Sequence, residues 1–160
     1  MTDKVIALGN SEVFDLTLSL DTNAYADGDV LAAPQEIPNF FRDAGAKAFV
    51  TSVVVVDGDD QGVAFDVVFL KSNTALGNEN SAVNISAANA KAAILGSVSI
   101  VSDDYKDMIN TQIANKTDGD LPLLLKAATN SRSIWVGAVS RGTGIYTASG
   151  IVLRIGVIRD

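Results

Sequence analysis

Lys47-Ala48-Phe49-Val50-Thr51-Ser52-Val53-Val54-Val55-Val56, then Asp57-Gly58-Asp59-Asp60-Gln61, then Gly62-Val63-Ala64-Phe65-Asp66-Val67-Val68-Phe69-Leu70-Lys71: this stretch decides the fold class. Both outer runs are rich in β-branched and aromatic residues, and turn residues separate them. The spacing predicts a β-hairpin closed by a short acidic loop. In the second run Phe65, Val67 and Phe69 share one face, while Asp66, Val68 and Leu70 share the other. That second face is not simply wet. A strand apolar on both sides is expected to pack in a sheet and to meet a further contact as well.

Outward from this pair the pattern stays β. Phe14, Leu16, Leu18 and Leu20 alternate with Asp15, Thr17 and Ser19, the period-2 mark of a half-buried strand over residues 12–20. Asp21 to Gly28 reads as a turn-rich connection. Val30 to Ala33 reads as a short strand ended by Pro34 and Pro38, hence edge or loop, because proline leaves a ladder bond unmade. Lys71 to Asn84 is polar and reads as a long surface loop. Ser86 is placed to cap a short helix over Ala87–Leu95, with Gly96 as its stop. Ser97–Ser102 returns to strand. Residues 103–115 fit a helical or a strand face, and their β neighbours favour strand. Leu121–Ala127, with Pro122 at its start, Ile134–Val139 and Ile151–Ile158 complete the series. Many short strands at such spacing predict an all-β, antiparallel β-sandwich, jelly-roll-like, with at most short helices. The 160 residues fit one domain, residues 1–160, with 1–11 as an N-terminal arm.

Composition narrows the chemistry. The chain has no His and no Cys, which removes the commonest general base, the thiol nucleophile and the usual transition-metal ligands together. Its net charge of −7 repels a phosphate backbone, so no nucleic-acid partner is expected. No stretch approaches a membrane span, and the polar Met1-Thr2-Asp3-Lys4 start does not read as a signal peptide. The sequons at Asn84 and Asn115 are accordingly read as chance. Hydrophobic residues make up 48% and charged residues 19%, a balance that predicts apolar surface covered in part by another subunit, hence a homo-oligomer.

Three Asp-Gly-Asp triplets stand out, at 27–29, 57–59 and 118–120. Asp57, Asp59 and Asp60 make the nearest approach to a calcium loop, since hard oxygen ligands on a tight turn suit that ion. The twelfth position, which needs an acid, holds Val68. Turn chemistry accounts for the same residues, because Gly supplies positive φ and Asp bonds nearby N–H groups. No metal and no cofactor are therefore expected. A carboxylate pair for glycoside hydrolysis cannot be selected among 19 acids. Gly142-Thr143-Gly144 lacks the Lys and helix of a phosphate loop and reads as a turn. Of the aromatics Tyr25, Phe40, Phe41, Tyr105, Trp135 and Tyr146, those within strands read as core. Tyr146, in a Gly-flanked turn, is the best exposed candidate for glycan or partner contact, and Tyr25 is a second candidate. No catalytic residue emerges, and a non-enzyme is expected.

Leu18-Ser19-Leu20-Asp21-Thr22-Asn23-Ala24-Tyr25-Ala26-Asp27-Gly28-Asp29-Val30-Leu31 resembles a recurrent opening of small virion structural proteins of tailed bacteriophages, in which an alternating strand runs into an Asp-Thr-x-Ala-Tyr-x-x-Gly-Asp stretch. The order of Val53–Asp57 with Gln61-Gly62, Phe65–Leu70, Leu95–Ile100 and Leu121-Pro122-Leu123 is similar too, as is the closing Leu153–Asp160. The resemblance covers most of the chain and rests on structural motifs. It implies a head decoration or cement protein, found on the capsid surface of the virion and made in the bacterial host cytoplasm. It further implies the phage major capsid protein as partner and a trimer as the form of the homo-oligomer. A tail-associated or host- or glycan-binding virion module is the alternative. The family brings no catalytic residues.

Overall fold

The two runs at 47–71 do not pair with each other. In the structure, a computed structural model that describes residues 8–160, the first run is β3 (Lys47–Asp57) and the second is β4 (Phe65–Leu70), and they lie in different sheets. β3 is held between β10 (Ile151–Arg159) on one edge and β7 (Gln112–Lys116) with β8 (Leu123–Lys126) on the other. β4 is held between β5 (Ile94–Ile100) and β9 (Ile134–Ser140). The predicted hairpin is thus corrected. A short loop favours a hairpin only while the strand edges lack better partners. Here both edges of both strands find other partners along most of their length, while one face of each strand stays in the core.

The remaining strands extend these two sets. β1 (Ser11–Thr17) flanks β10, β6 (Tyr105–Asp107) flanks β7, and β2 (Val30–Ile37) flanks β9. One sheet has six strands, in the order β1-β10-β3-β7-β6 with β8 also beside β3; the other has four, β2-β9-β4-β5. All pairings are antiparallel. The pairs nest: β1 with β10, β2 with β9, β3 with β7 and β8, β4 with β5. They fall alternately in one sheet and the other, as in a long hairpin rolled on itself. That is the jelly-roll order, so the chain is an antiparallel β-sandwich as its strand pattern predicted.

The core lies between the sheets. Val53, Val55, Leu153 and Ile155 face Phe65, Val67, Phe69, Val136 and Ala138. Full burial of each such side chain contributes about 1.5–3 kcal/mol. Phe14, Phe40 and Phe41 close one end, with ring centroids 5.2 and 5.1 Å apart along the row.

The second apolar face of β4 is also explained. Val68 and Leu70, with Val139 and Trp135, are covered by Leu76, Ile85 and Ala93 from the chain's own residues 71–93. The further contact on that strand is therefore intramolecular. Within this cover α1 (Ala87–Ala93) begins at Ser86, whose hydroxyl accepts the Asn89 N–H at 3.2 Å. The helix ends at Ala93, short of the expected Leu95. Gly96 does not stop it but lies in β5, where an added Cβ would come within 2.9 Å of Leu123.

Pro34 lies inside β2, past the predicted end of that strand. β2 is an edge strand, and its register with β9 breaks between Ala32 and Gln35, the setting in which a strand tolerates proline. Residues 105–107 and 112–116 are strands, as preferred over helix. Of the expected N-terminal arm, residues 1–7 lie outside the described residues. Leu8–Asn10 form a 3-10 turn and Ser11 opens β1 opposite Ile158.

Candidate functional site

The acidic loop between β3 and β4 is built from one buried side chain. Asp57 ends β3 and is only 1% exposed. Its Oδ1 accepts the Asp59 N–H at 3.0 Å, and its Oδ2 accepts the Gln61 and Gly62 N–H groups at 2.9 and 2.8 Å. These bonds wind the chain back so that it leaves one sheet and enters the other. Asp60 and Gly62 take the left-handed conformation that the turn needs, at φ 57° and 59°. Asp59 ties this loop to residues 141–150, accepting the Thr147 N–H at 2.8 Å and the Thr147 hydroxyl at 3.1 Å. Gln61 Oε1 accepts the Ile145 N–H at 3.1 Å.

The carboxylates of Asp57 and Asp59 thus serve backbone donors, and Asp60 lies exposed. Among the described residues no group of three or more His, Cys, Asp or Glu is placed to hold a metal ion. In the other two triplets the glycine carries the positive φ, 88° at Gly28 and 64° at Gly119. At 57–59 that conformation falls on Asp60 instead.

Tyr25 and Tyr146 come together, but inside the protein. Their ring centroids are 6.0 Å apart and both side chains are buried. The expectation that they stand exposed is corrected. The Gly-flanked turn folds inward, and the two rings seal the loop end of the core. Tyr25 Oη donates to the Leu31 carbonyl at 3.0 Å and accepts the Asp21 N–H at 2.7 Å. Burial pushes both phenols above their ordinary range, with the Asp57 carboxylate adding to the shift at Tyr146. Phe40 and Phe41 are fully buried, and Trp135 packs on the outer cluster of the four-stranded sheet. Tyr105 is half-buried and donates to the Val63 carbonyl at 3.1 Å. None of the six aromatics forms an open stacking platform.

Among the described residues several large apolar side chains stand exposed, and two groupings of them lie on the six-stranded sheet; sequence reasoning found neither. The first lies on the outer face of the six-stranded sheet. Leu124, Phe49 and Ile158 stand directly opposite one another on β8, β3 and β10, and are 52%, 44% and 51% exposed. They line a groove of about 330 Å³ with Lys47, Arg159 and Asp160 at its margin. Lys47 faces Lys126 across the β3–β8 ladder, and among the described residues neither ammonium has a carboxylate within ion-pair distance. Like charges so placed repel each other. The signal was present in the sequence: Phe49 alternates with the buried Ala48 and Val50, so it points outward beside Lys47.

The second surface is the β6–β7 turn at the other end of that sheet. The Met108 N–H donates to the Thr111 carbonyl at 2.8 Å, so Ile109 and Asn110 form a two-residue turn. Ile109 has φ 77° and is 83% exposed. A β-branched residue is an outlier there, where such a hairpin favours Gly. The Asp107 carboxylate accepts the Ile109 N–H at 2.7 Å and holds the turn.

No family model matches the chain, and no curated protein matches it. Among solved structures it is similar to a structure of infectious bursal disease virus Gx strain, at 13% identity and a TM-score of 0.17 over 92% of this chain and 41% of that one. It is also similar to a crystal structure of an infectious bursal disease virus VP2 subviral particle, at 13% identity and a TM-score of 0.18 over 92% and 40% of the two chains. The chain spans about two fifths of the length of each. Likeness at this level carries no argument about fold or role.

Proposed function

We propose that this chain is a non-enzymatic virion structural protein of a tailed bacteriophage. Its role is decoration or cement: it binds the assembled head, with the major capsid protein as partner, and does so as a homo-oligomer. The observation that carries the reading is the pair of uncovered apolar surfaces at opposite ends of one sheet, the Leu124–Phe49–Ile158 groove and the Met108–Ile109 turn. A chain that assembles with copies of itself needs two separate places to touch, so these surfaces support the homo-oligomer, and the capsid-binding half of the reading rests on the resemblance. Contacts that exist only in the assembled shell stabilise it by mass action. The resemblance around Asp21–Leu31 points to the same role.

The test is labelling of purified particles with an antibody to this chain. Dense, lattice-wide copies on the head are expected. Labelling confined to the tail tip, or an absence of the chain from particles, overturns the reading.

A further inference from the structure

We propose that the two apolar surfaces fit each other, so that the β6–β7 turn of one copy inserts into the sheet groove of the next. The inference deepens the self-assembly half of the proposed function and rests on it; it does not depend on which part of a particle the protein serves. The occupant of the groove is a second copy of this chain.

Three features of the groove and turn match. The floor of the groove is a cross-strand row of Leu124, Phe49 and Ile158, and the turn presents Met108 and Ile109 as exposed aliphatic side chains. The groove margin carries Lys47 and Arg159 with one acid, Asp160, and Lys126 stands opposite Lys47 across the ladder, so cations outnumber acids there. The turn carries Asp107 directly before its apolar pair. An acid arriving there relieves the repulsion of the two ammonium groups, which supplies the charge complementarity of the contact.

Third, the turn is built against its own preference. Gly or Asn at position 109 would satisfy the positive φ without strain, yet the chain holds Ile there, with its side chain in water. Strain of this kind makes sense when the side chain is covered by something outside the monomer. The contact is heterologous, joining different surfaces of the two copies, because the turn and the groove lie at opposite ends of β3. Such a contact forms closed rings when the rotation between copies closes.

The test is sedimentation equilibrium on the full chain and two variants. Ile109→Gly removes the inserted side chain while easing the turn. Leu124→Glu spoils the groove on an exposed position. Each variant alone should associate at least about thirtyfold more weakly than wild type, the loss of one central contact side chain. An equimolar mixture of the two should form one-to-one dimers, because one intact turn and one intact groove remain. Far-UV spectra and a third variant, Ile109→Asn, guard against a folding defect.

The proposal is overturned if the wild type stays monomeric up to its solubility limit, if either variant associates like wild type, or if the mixture forms no dimer. It is equally overturned if deleting residues 1–7 from a monomeric protein unmasks the amides of Phe49 and Leu124 to hydrogen exchange. The groove would then belong to the chain's own N-terminus. Particle labelling is indifferent to all these outcomes, so failure here and failure of the virion role are told apart.

Discussion

Replacing Asp57 by Ala should be among the most damaging single changes outside the core. The side chain is buried and accepts three backbone N–H groups at 2.8–3.0 Å, from Asp59, Gln61 and Gly62. A hydrogen bond to a charged group contributes about 1.5–3 kcal/mol net. Three would approach about 4.5–9 kcal/mol if every donor were left dry. Gly58, Asp60 and Gln61 are exposed, so water can reach part of the opened loop and the lower range applies. The expected loss is about 3–5 kcal/mol, a large share of the about 5–15 kcal/mol that stabilises a typical domain. At about 2–4 °C per kcal/mol for a chain of this size, Tm should fall by about 10 °C. Asp57→Asn keeps one acceptor oxygen but turns an amide toward the other donors, and should cost about half as much. Urea denaturation should show a lower midpoint with an unchanged slope, because the same surface is exposed on unfolding. A loss below about 1 kcal/mol for Asp57→Ala would refute the view that this carboxylate organises the crossing between the sheets.

Adding calcium or a chelator should leave Tm nearly unchanged, because the Asp57 and Asp59 carboxylates already serve protein donors; a rise of many degrees with calcium in a thermal melt would contradict this. Ile109→Gly should stabilise the isolated chain by about 1 kcal/mol in denaturant titration, since it removes backbone strain at an exposed turn. Phe69→Ala, at a fully buried position between β5 and β9, should cost about 3–5 kcal/mol by the same measurement. In alkaline titration the buried Tyr25 and Tyr146 should resist ionisation, because burial raises their phenol pKa above the ordinary 10.0. The folded state then holds protons that the unfolded state releases, so the stability they contribute is complete below pH 10.0 and is lost as pH climbs above it. Burial raises the Tyr105 phenol in the same way, so phenolate absorbance from all three tyrosines should rise only as the fold is lost.

Local order was legible in the chain itself. The alternation from Phe14 to Leu20, the Ser86 cap, and the two-faced apolar pattern of Phe65–Leu70 each pointed to an element that the structure contains, although β1 ends at Thr17 and the buried Leu18 and Leu20 follow it, because periodicity and capping are properties of neighbouring residues. The loop residues were legible as turn chemistry for the same reason. Tyr146 misled because flanking glycines report a flexible backbone and say nothing about which way a loop folds. Phe49 was passed over because an aromatic in an alternating strand usually faces the core; its phase with Ala48 and Val50 placed it outside.

By itself the sequence determined a β-sandwich without His or Cys chemistry, acidic overall and rich in tight turns, because composition and period-2 patterning need no partner to be read. Only the tertiary structure decided that β3 and β4 part company, that residues 71–93 cover the outer face of β4, and that Leu124, Phe49 and Ile158 meet in one row. Pairing joins residues from opposite ends of the chain, such as Ser11 with Ile158 and Val53 with Ile155, through hydrogen bonds that every backbone offers alike. Which edges find each other is settled by how all the apolar faces can be buried at once, and that is a property of the whole chain.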